Sequence, residues 1–573
     1  MSDSPRYLDY SRSGSRDSED RAGFTTPIRR FTAEVLVQIF LWSVVVDPVH
    51  LAAPRDSPRP LPRDLYGWLN VTHVCRRWRR LAIDTPALWT DIHTTMGQSW
   101  VDAFLTRSKN LTVSFSNFIN PSVVQDPYRL MADPILAEHI QRMHAITLLQ
   151  PKYGKPHDDL MQTLPALESL TIFSQFLMFN NTSFADDFHA PRLQHLAILS
   201  PQNFPLHASF VAHLSSLCLA NRSTPGHIEP GAFYEPLRRM YRLERLCLED
   251  LLAGLNNATD IEPVELPHLR LLRLHGKCDQ VVGLLSKLSI GRVELDIACT
   301  NIDLTAGTTQ TLMDNMSKFL QKYNATFAGD PGLTFKALSV IQCAEIDKPW
   351  VSIHAERQDV GPDWDPAWRA PYRVKLDGQQ LPQWQIDPRF QDSISAPLSG
   401  SFNFSLVFKK AEPKAVLEAL DRLLGQLPLL DVRVLRLEGQ HASAFFIPLP
   451  HVPRVRHIRA YPPTVAHCLA ALAYRGEGDV RFAMELAELS LPQIPPIAWV
   501  GDTETSKDPL YKQICELLET RITEGMEPIR TIFLQHPALH FRSLFRGSDG
   551  AWFGLPETLR RVVKEESTSD DIA

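Results

Sequence analysis

The chain has 573 residues, enough for more than one domain or for one extended repeat array. With 44% hydrophobic and 22% charged residues it has the composition of a folded soluble protein, and a net charge of -6 argues against a general nucleic-acid binder, which needs a strongly basic surface. The eight cysteines form no C-x-x-C pair, which favours reduced thiols over a disulfide framework.

Residues 1–26 are rich in Ser, Arg and Asp, hold few large apolar groups and are expected to be disordered. No apolar signal-peptide core is present there. The most apolar run, Val35 to Val46, is too short to span a bilayer and is broken by Gln38 and Ser43. The expectation is a cytoplasmic or nuclear protein without a membrane partner. Matches to N-x-[ST], such as Asn110 to Thr112, read as chance without a secretion signal.

Within Ile28 to Leu41 (I-R-R-F-T-A-E-V-L-V-Q-I-F-L), Val35 to Phe40 reads as a helix, with Ile28 and Phe31 just ahead of it. A Pro-rich insertion follows over 47–64, with Pro48, Pro54, Pro58, Pro60 and Pro62. The stretch Trp68 to Trp89 then reads as one amphipathic helix and a turn. Val71, Val74, Cys75, Trp78, Leu81 and Ala82 recur at three- and four-residue steps and share a face, while Arg76, Arg77, Arg79 and Arg80 fall elsewhere. Pro86 cannot continue the helix.

V-C-R-R-W-R-R-L-A followed by T-P-x-L-W resembles the second half of the F-box of fungal F-box proteins. Ile28 to Leu41 resembles its first half, roughly I-x-x-L-P-x-E-[IV]-L-x-x-I-F, matching at Ile28, Glu34, Val35, Leu36, Ile39 and Phe40. Phe31 stands for the usual Leu and Thr32 for the usual Pro, a departure that weakens the expected helix start. Trp100 to Phe115 resembles the linker that such proteins place before leucine-rich repeats. The resemblance implies an F-box-like helical domain over 27–95 and a linker over 96–120. It also implies docking on a Skp-type adaptor through Ile28, Phe31, Leu36, Ile39, Phe40 and Trp78.

Residues 121–563 carry a recurring L-x-x-L-x-L pattern in which any aliphatic can stand for Leu. It appears at Met143/Ile146/Leu148, Leu167/Leu170/Ile172, Leu193/Leu196/Ile198, Leu214/Leu217/Leu219, Leu243/Leu246/Leu248, Leu269/Leu272/Leu274 and Ile290/Val293/Leu295. The spacing of 21 to 29 residues is that of a leucine-rich repeat. The second and third positions are two apart, so both point to one side of a strand.

The pattern fits again at Phe335/Leu338/Val340, lapses, and returns at Val432/Leu435/Leu437, Val455/Ile458/Ala460, Leu486/Leu489/Leu491 and Ile529/Ile532/Leu534. The gap holds an alternating strand at Phe402/Phe404/Leu406/Phe408. Helices with one apolar face precede two of the later repeats: Val416, Leu420, Leu423, Leu424 and Leu427 in one, Ile514, Leu517, Leu518 and Ile522 in the other. The fold class expected is α/β: a small N-terminal helical F-box-like domain, then an irregular leucine-rich-repeat solenoid. A polar, acidic tail from 564 to 573 is expected to be disordered.

No Gly-rich phosphate loop, G-x-S-x-G elbow or H-E-x-x-H occurs. His275 with Cys278, and His467 with Cys468, lack a second pair at metal-ligand spacing. No enzyme activity, cofactor or metal is expected, although the aromatic-rich stretch 341–430 leaves room for a hidden active site if buried carboxylates or histidines gather there. The Arg76–Arg80 cluster reads as a solvated helix face in a chain of acidic balance, the alternative being a nucleic-acid or nuclear-import patch.

What the resemblance implies is a substrate-recognition subunit of a cullin–RING ubiquitin ligase, the repeats holding a protein substrate. The alternative is a leucine-rich-repeat scaffold with a degenerate F-box, outside any ligase. Residues alternating with the buried aliphatics are expected on the open concave face: Thr171, His195, Ala197, Ser216, Cys218, Arg245, Cys247, Leu271 and Arg273. Of these, Thr171, His195, Arg245, Leu271 and Arg273 are the candidate substrate contacts. Cys218 and Cys247 are expected there as small fillers. Arg245 and Arg273 are expected about 5–10 Å apart, facing either an acidic or phosphorylated segment or the neighbouring Glu244 and Glu249.

Overall fold

The computed structural model describes residues 31–47, 67–93, 98–117, 138–150, 164–174, 189–199, 209–220, 230–253, 261–304, 307–326, 334–343, 349–361, 402–409, 412–440, 448–461, 464–473, 483–492, 509–526, 529, 531–536 and 539–544. Ile28, both tails and all but the first residue of the Pro-rich insertion lie outside them. The chain divides into two compact units, 1–120 and 121–573.

The first unit opens with helix α1 (Ala33–Val46). Thr32, at the helix N-cap, has φ -66°, the value a proline ring imposes, so the helix starts as it would after the family's usual proline. The single helix expected from Trp68 is in fact two. A 3-10 helix covers Gly67–His73, and helix α2 (Arg76–Ile83) begins after Cys75, which is extended at φ -159°. The β-branched run Val71, Thr72 and Val74 has poor helix propensity, which fits the break. Val74 and Cys75 are exposed.

Beyond a short 3-10 turn (Pro86–Trp89) come strand β1 (Asp91–His93), helix α3 (Gln98–Arg107) and strand β2 (Val113–Asn117), parallel to β1. The core is aromatic. Trp68 meets Trp89 edge-on at 5.2 Å, and Trp89 meets Phe104 at 4.9 Å. The Trp89 indole N–H donates to the Ala82 carbonyl at 2.8 Å, which leaves this buried polar atom satisfied.

The second unit is built on a long, mostly parallel sheet. Strands β3 (Met143–Gln150), β4 (Ser169–Ser174), β5 (His195–Leu199), β6 (Ser216–Ala220) and β7 (Arg245–Glu249) pair in sequence order. A small parallel pair, β8 (Val264–Leu266) with β10 (Leu288–Ile290), stands apart. The main ladder continues from β7 to β9 (Leu271–Lys277) and β11 (Glu294–Ile302).

There the order inverts. β11 pairs in parallel with β14 (Phe402–Phe408), not with the next strand in sequence. β14 is antiparallel to β13 (Trp350–Glu356), and β13 is antiparallel to β12 (Ala337–Cys343). The parallel ladder then resumes from β12 through β15 (Val434–Gln440), β16 (His457–Ala460), β17 (Glu488–Pro492) and β18 (Thr531–His536), with β19 (Leu539–Leu544) antiparallel at the end.

Helices of this unit are α4 (Pro230–Arg239), α5 (Cys278–Lys287), α6 (Gly307–Ala325), α7 (Pro413–Leu424), α8 (Thr464–Ala473) and α9 (Pro509–Thr523). A small helical unit followed by a mixed α/β unit built on a long, mostly parallel sheet is the arrangement expected of an irregular leucine-rich-repeat solenoid behind a helical domain.

The repeat aliphatics form its core. Leu170, Leu196, Leu217, Leu246 and Leu272 lie in one register row, and Ile172, Ile198, Leu219, Leu248 and Leu274 in the next; all are buried. The repeat expected at Ile290/Val293/Leu295 is shifted by two residues. Leu295 and Ile297 stand opposite Leu272 and Leu274, so they take the second and third positions. Both choices keep the same face inward, so alternation alone could not separate them. Replacing Leu272 by Ala should cost about 2–5 kcal/mol, read as a lowered denaturant midpoint at unchanged slope.

Candidate functional site

In the F-box-like region the helical period divides α1 into two apolar faces. Leu36 and Phe40 are buried, and the Phe40 ring lies 5.1 Å from that of Trp78. Val35, Ile39, Trp42 and Val46 follow each other at three- and four-residue steps on the outer side, with Trp42 67% and Val46 77% exposed. Val45 and Phe31 are exposed beside them. The Arg77 guanidinium donates to the Phe31 carbonyl at 2.6 Å and ties α2 to the start of α1.

The adaptor contacts expected from the sequence therefore separate. Phe31 and Ile39 are presented to solvent. Leu36 and Phe40 belong to the core, with Trp78 half-buried against them. They shape the outer face and are not part of it. An apolar strip of this kind on a folded unit marks a binding surface.

In the repeat unit, register fixes which side chains share the concave face. One row runs Thr171, Ala197, Cys218, Cys247, Arg273, Asp296, Asn403, His354, Ser339, Arg436 and Arg459. The expected open face is largely closed. Thr171, Ala197, Ser216, Cys218, Cys247 and Leu271 are buried, Leu271 being 7% exposed. Neighbouring parallel strands lie about 4.8 Å apart, so side chains on one face screen each other. His195 and Arg245 are half-buried. Burial, and then the Arg245 charge, push the His195 imidazole below its ordinary range.

Arg273 is not opposite Arg245. It registers with Cys247, while Arg245 registers with Leu271. Nor does Arg273 await an acidic partner from outside, because its Nε donates to Asp296 Oδ2 at 2.6 Å. His275, one step along the same face, lies 3.0 Å from Glu249 Oε1 through Nδ1 and 3.5 Å from Asp296 Oδ1 through Nε2. Two cations and two carboxylates thus link β7, β9 and β11.

Burial opposes protonation of His275, but the Asp296 charge and hydrogen bonds to Asp296 and Glu249 outweigh it and lift the imidazole to about 9. Burial likewise opposes ionisation of Asp296, yet Arg273 and His275 bring its carboxyl down to about 2. At pH 7 His275 is therefore protonated and Asp296 ionised.

Next to it the inserted strands add neutral pairs. His354 hydrogen-bonds Asn403, and the Ser352 and Ser405 hydroxyls meet at 2.9 Å. Burial keeps His354 below its ordinary range. Burial also raises the carboxyl of Glu356, which accepts from the Arg357 backbone N–H at 3.0 Å. His354 and Glu356 are thus engaged in local contacts, and most of the 341–430 stretch lies outside the described residues. Cys218 and Cys247 are free thiols in direct register, and burial pushes the Cys218 thiol well up. Among the described residues no group of three or more His, Cys, Asp or Glu side chains is arranged to hold a metal ion, and no helix is long and apolar enough to cross a membrane.

A family model described as F-box-like matches residues 33–95, the stretch that carries the exposed strip of α1. A search of curated proteins returns no match to the chain. F-box domains are adaptor modules and carry out no chemistry of their own. They bind Skp1-type adaptors.

The ion cluster gives stability a defined pH dependence. His275 has a raised folded-state pKa, so its contribution is full below about 6.5 and is lost as pH rises through about 9. The loss should be on the order of 3 kcal/mol. Asp296 acts at the other end, its contribution present above about 4 and lost as pH falls through about 2. Urea denaturation between pH 6 and 9.5 should show the alkaline decline, and the H275Q protein should lack it.

Proposed function

We propose that the chain is the substrate-recognition subunit of a cullin–RING ubiquitin ligase. The F-box-like domain docks a Skp-type adaptor, and the repeat unit holds a protein substrate on its strand-lined face. The observation that carries this reading is the outward strip of Val35, Ile39, Trp42 and Val46, exposed within the stretch that matches the F-box-like family. A helix face this apolar is costly to leave in water and is stabilised by a partner that covers it. The chain's part in ubiquitin transfer is positional: it brings a target lysine near the loaded enzyme.

On the substrate side, Thr171 and Leu271 are closed off, and Arg273 is committed to Asp296. His195 and Arg245, half-buried at the edge of the same face, remain the candidates for direct contact. A scaffold outside any ligase is the second reading, favoured by Phe31 in place of the family's leucine on the same exposed side. Both readings keep the unit folded and differ in whether the adaptor binds.

Replacing Ile39 and Trp42 by Asp places charge in the apolar contact while leaving Leu36 and Phe40 in the core. Co-purification with a Skp-type adaptor should fall roughly a hundredfold or more. Circular dichroism should show the variant folded, because both side chains are exposed. Adaptor binding equal to that of the unaltered chain would refute the ligase reading. Absence of adaptor binding by the unaltered chain would favour the scaffold.

A further inference from the structure

A groove of about 260 Å³ opens between α5 and α6. Its apolar lining consists of the buried Val282, Leu285, Leu288 and Met316 and the half-buried Ile290 and Phe319. Lys318 and Lys322, four residues apart on α6 and therefore on one side of the helix, also line it. Both are exposed, and among the described residues no carboxylate pairs with either. None of the lining residues is acidic. The acid one turn before Lys318, Asp314, is engaged by Arg422 at 3.0 Å. In a chain of net charge -6, this is a local concentration of positive charge beside an apolar lining.

The groove is smaller than the roughly 300–1,000 Å³ of pockets that enclose a small molecule. Its volume suits a few aliphatic side chains projecting from another surface. Long, exposed ammonium side chains suit carboxylates that flank those anchors. We propose that the α5–α6 groove docks an acidic amphipathic helix of a partner protein, its aliphatic side chains against the apolar lining and its carboxylates facing Lys318 and Lys322. This surface does not depend on the F-box reading and is separate from the strand-lined face.

The test uses the full chain and a fluorescein-labelled helical peptide with leucines at i, i+3, i+4 and i+7 and glutamates elsewhere. Its anisotropy should rise saturably, and hydrogen exchange should slow over 282–290 and 315–323. The K318E/K322E chain should bind it about tenfold or more weakly, with unchanged thermal melting. A peptide with lysines in place of the glutamates should reverse that preference. Absence of saturable binding, equal affinity for the charge-reversed chain, or protection elsewhere would overturn the proposal. Displacement of the peptide by decanoate at lower concentration than the peptide's own binding would also overturn it, by assigning the groove to a fatty carboxylate.

Discussion

A strand in a parallel ladder can satisfy its backbone only through the strand beside it, and an unpaired edge inside a folded unit is costly. The repeat unit meets this constraint at one difficult place, between β11 and β12. The sequence after β12 supplies β13 and β14, and the ladder passes through them in reverse order before it resumes. Each joining strand keeps the alternation of its neighbours, so Phe402, Phe404 and Leu406 extend the inner row begun by Leu295 and Ile297. The hydrophobic core therefore runs without a gap from one arm of the solenoid to the other.

The charged cluster sits just before this junction. Burying ions is expensive unless they are paired and hydrogen-bonded. Here each cation has a carboxylate within hydrogen-bonding reach, and the pairs cross from strand to strand. The cluster thus adds directional contacts between β7, β9 and β11, where aliphatic packing supplies only non-directional ones. The α1 helix solves a related problem by different means. Its inner face is committed to Trp78 and the aromatic core, which fixes the orientation of the outer face, and Arg77 anchors the start of the helix at the Phe31 carbonyl.

Much of the fold was legible because aliphatic spacing is a direct imprint of the strand and helix periods. The repeats before β11 and after β12 follow from that spacing alone. Two features were not legible. The first is the strand inversion, since it depends on β14 pairing with β11 and β13 across a long separation, which leaves no local signature. The second is the ion cluster, and its loss has a specific cause. With the seventh repeat placed at Val293 and Leu295, the residue level with Arg273 is Glu294. With the observed register it is Asp296. A charged residue between Leu295 and Ile297 was the available signal. On α1, the pattern of matched positions gave the right helix but not its orientation. Leu36, Ile39 and Phe40 share one helical neighbourhood, and only packing against Trp78 decides which of them turn inward.

The inversion also sets a timetable for the chain as it leaves the ribosome. In the main ladder β4, β5, β6, β7, β9 and β11 each pair with the ladder strand made before them, so the N-terminal arm can close strand by strand during synthesis. β12 and β13 are adjacent in sequence and can form a hairpin as soon as residue 356 emerges. That hairpin has no neighbour in the finished arm until β14 arrives at residues 402–408. For that interval the edge of β11 is bare, and the arm waits on a segment whose contacts span about a hundred residues. Pairing over such distance is slow. The nascent solenoid is thus most open to chaperones, and to mispairing, midway through its own translation.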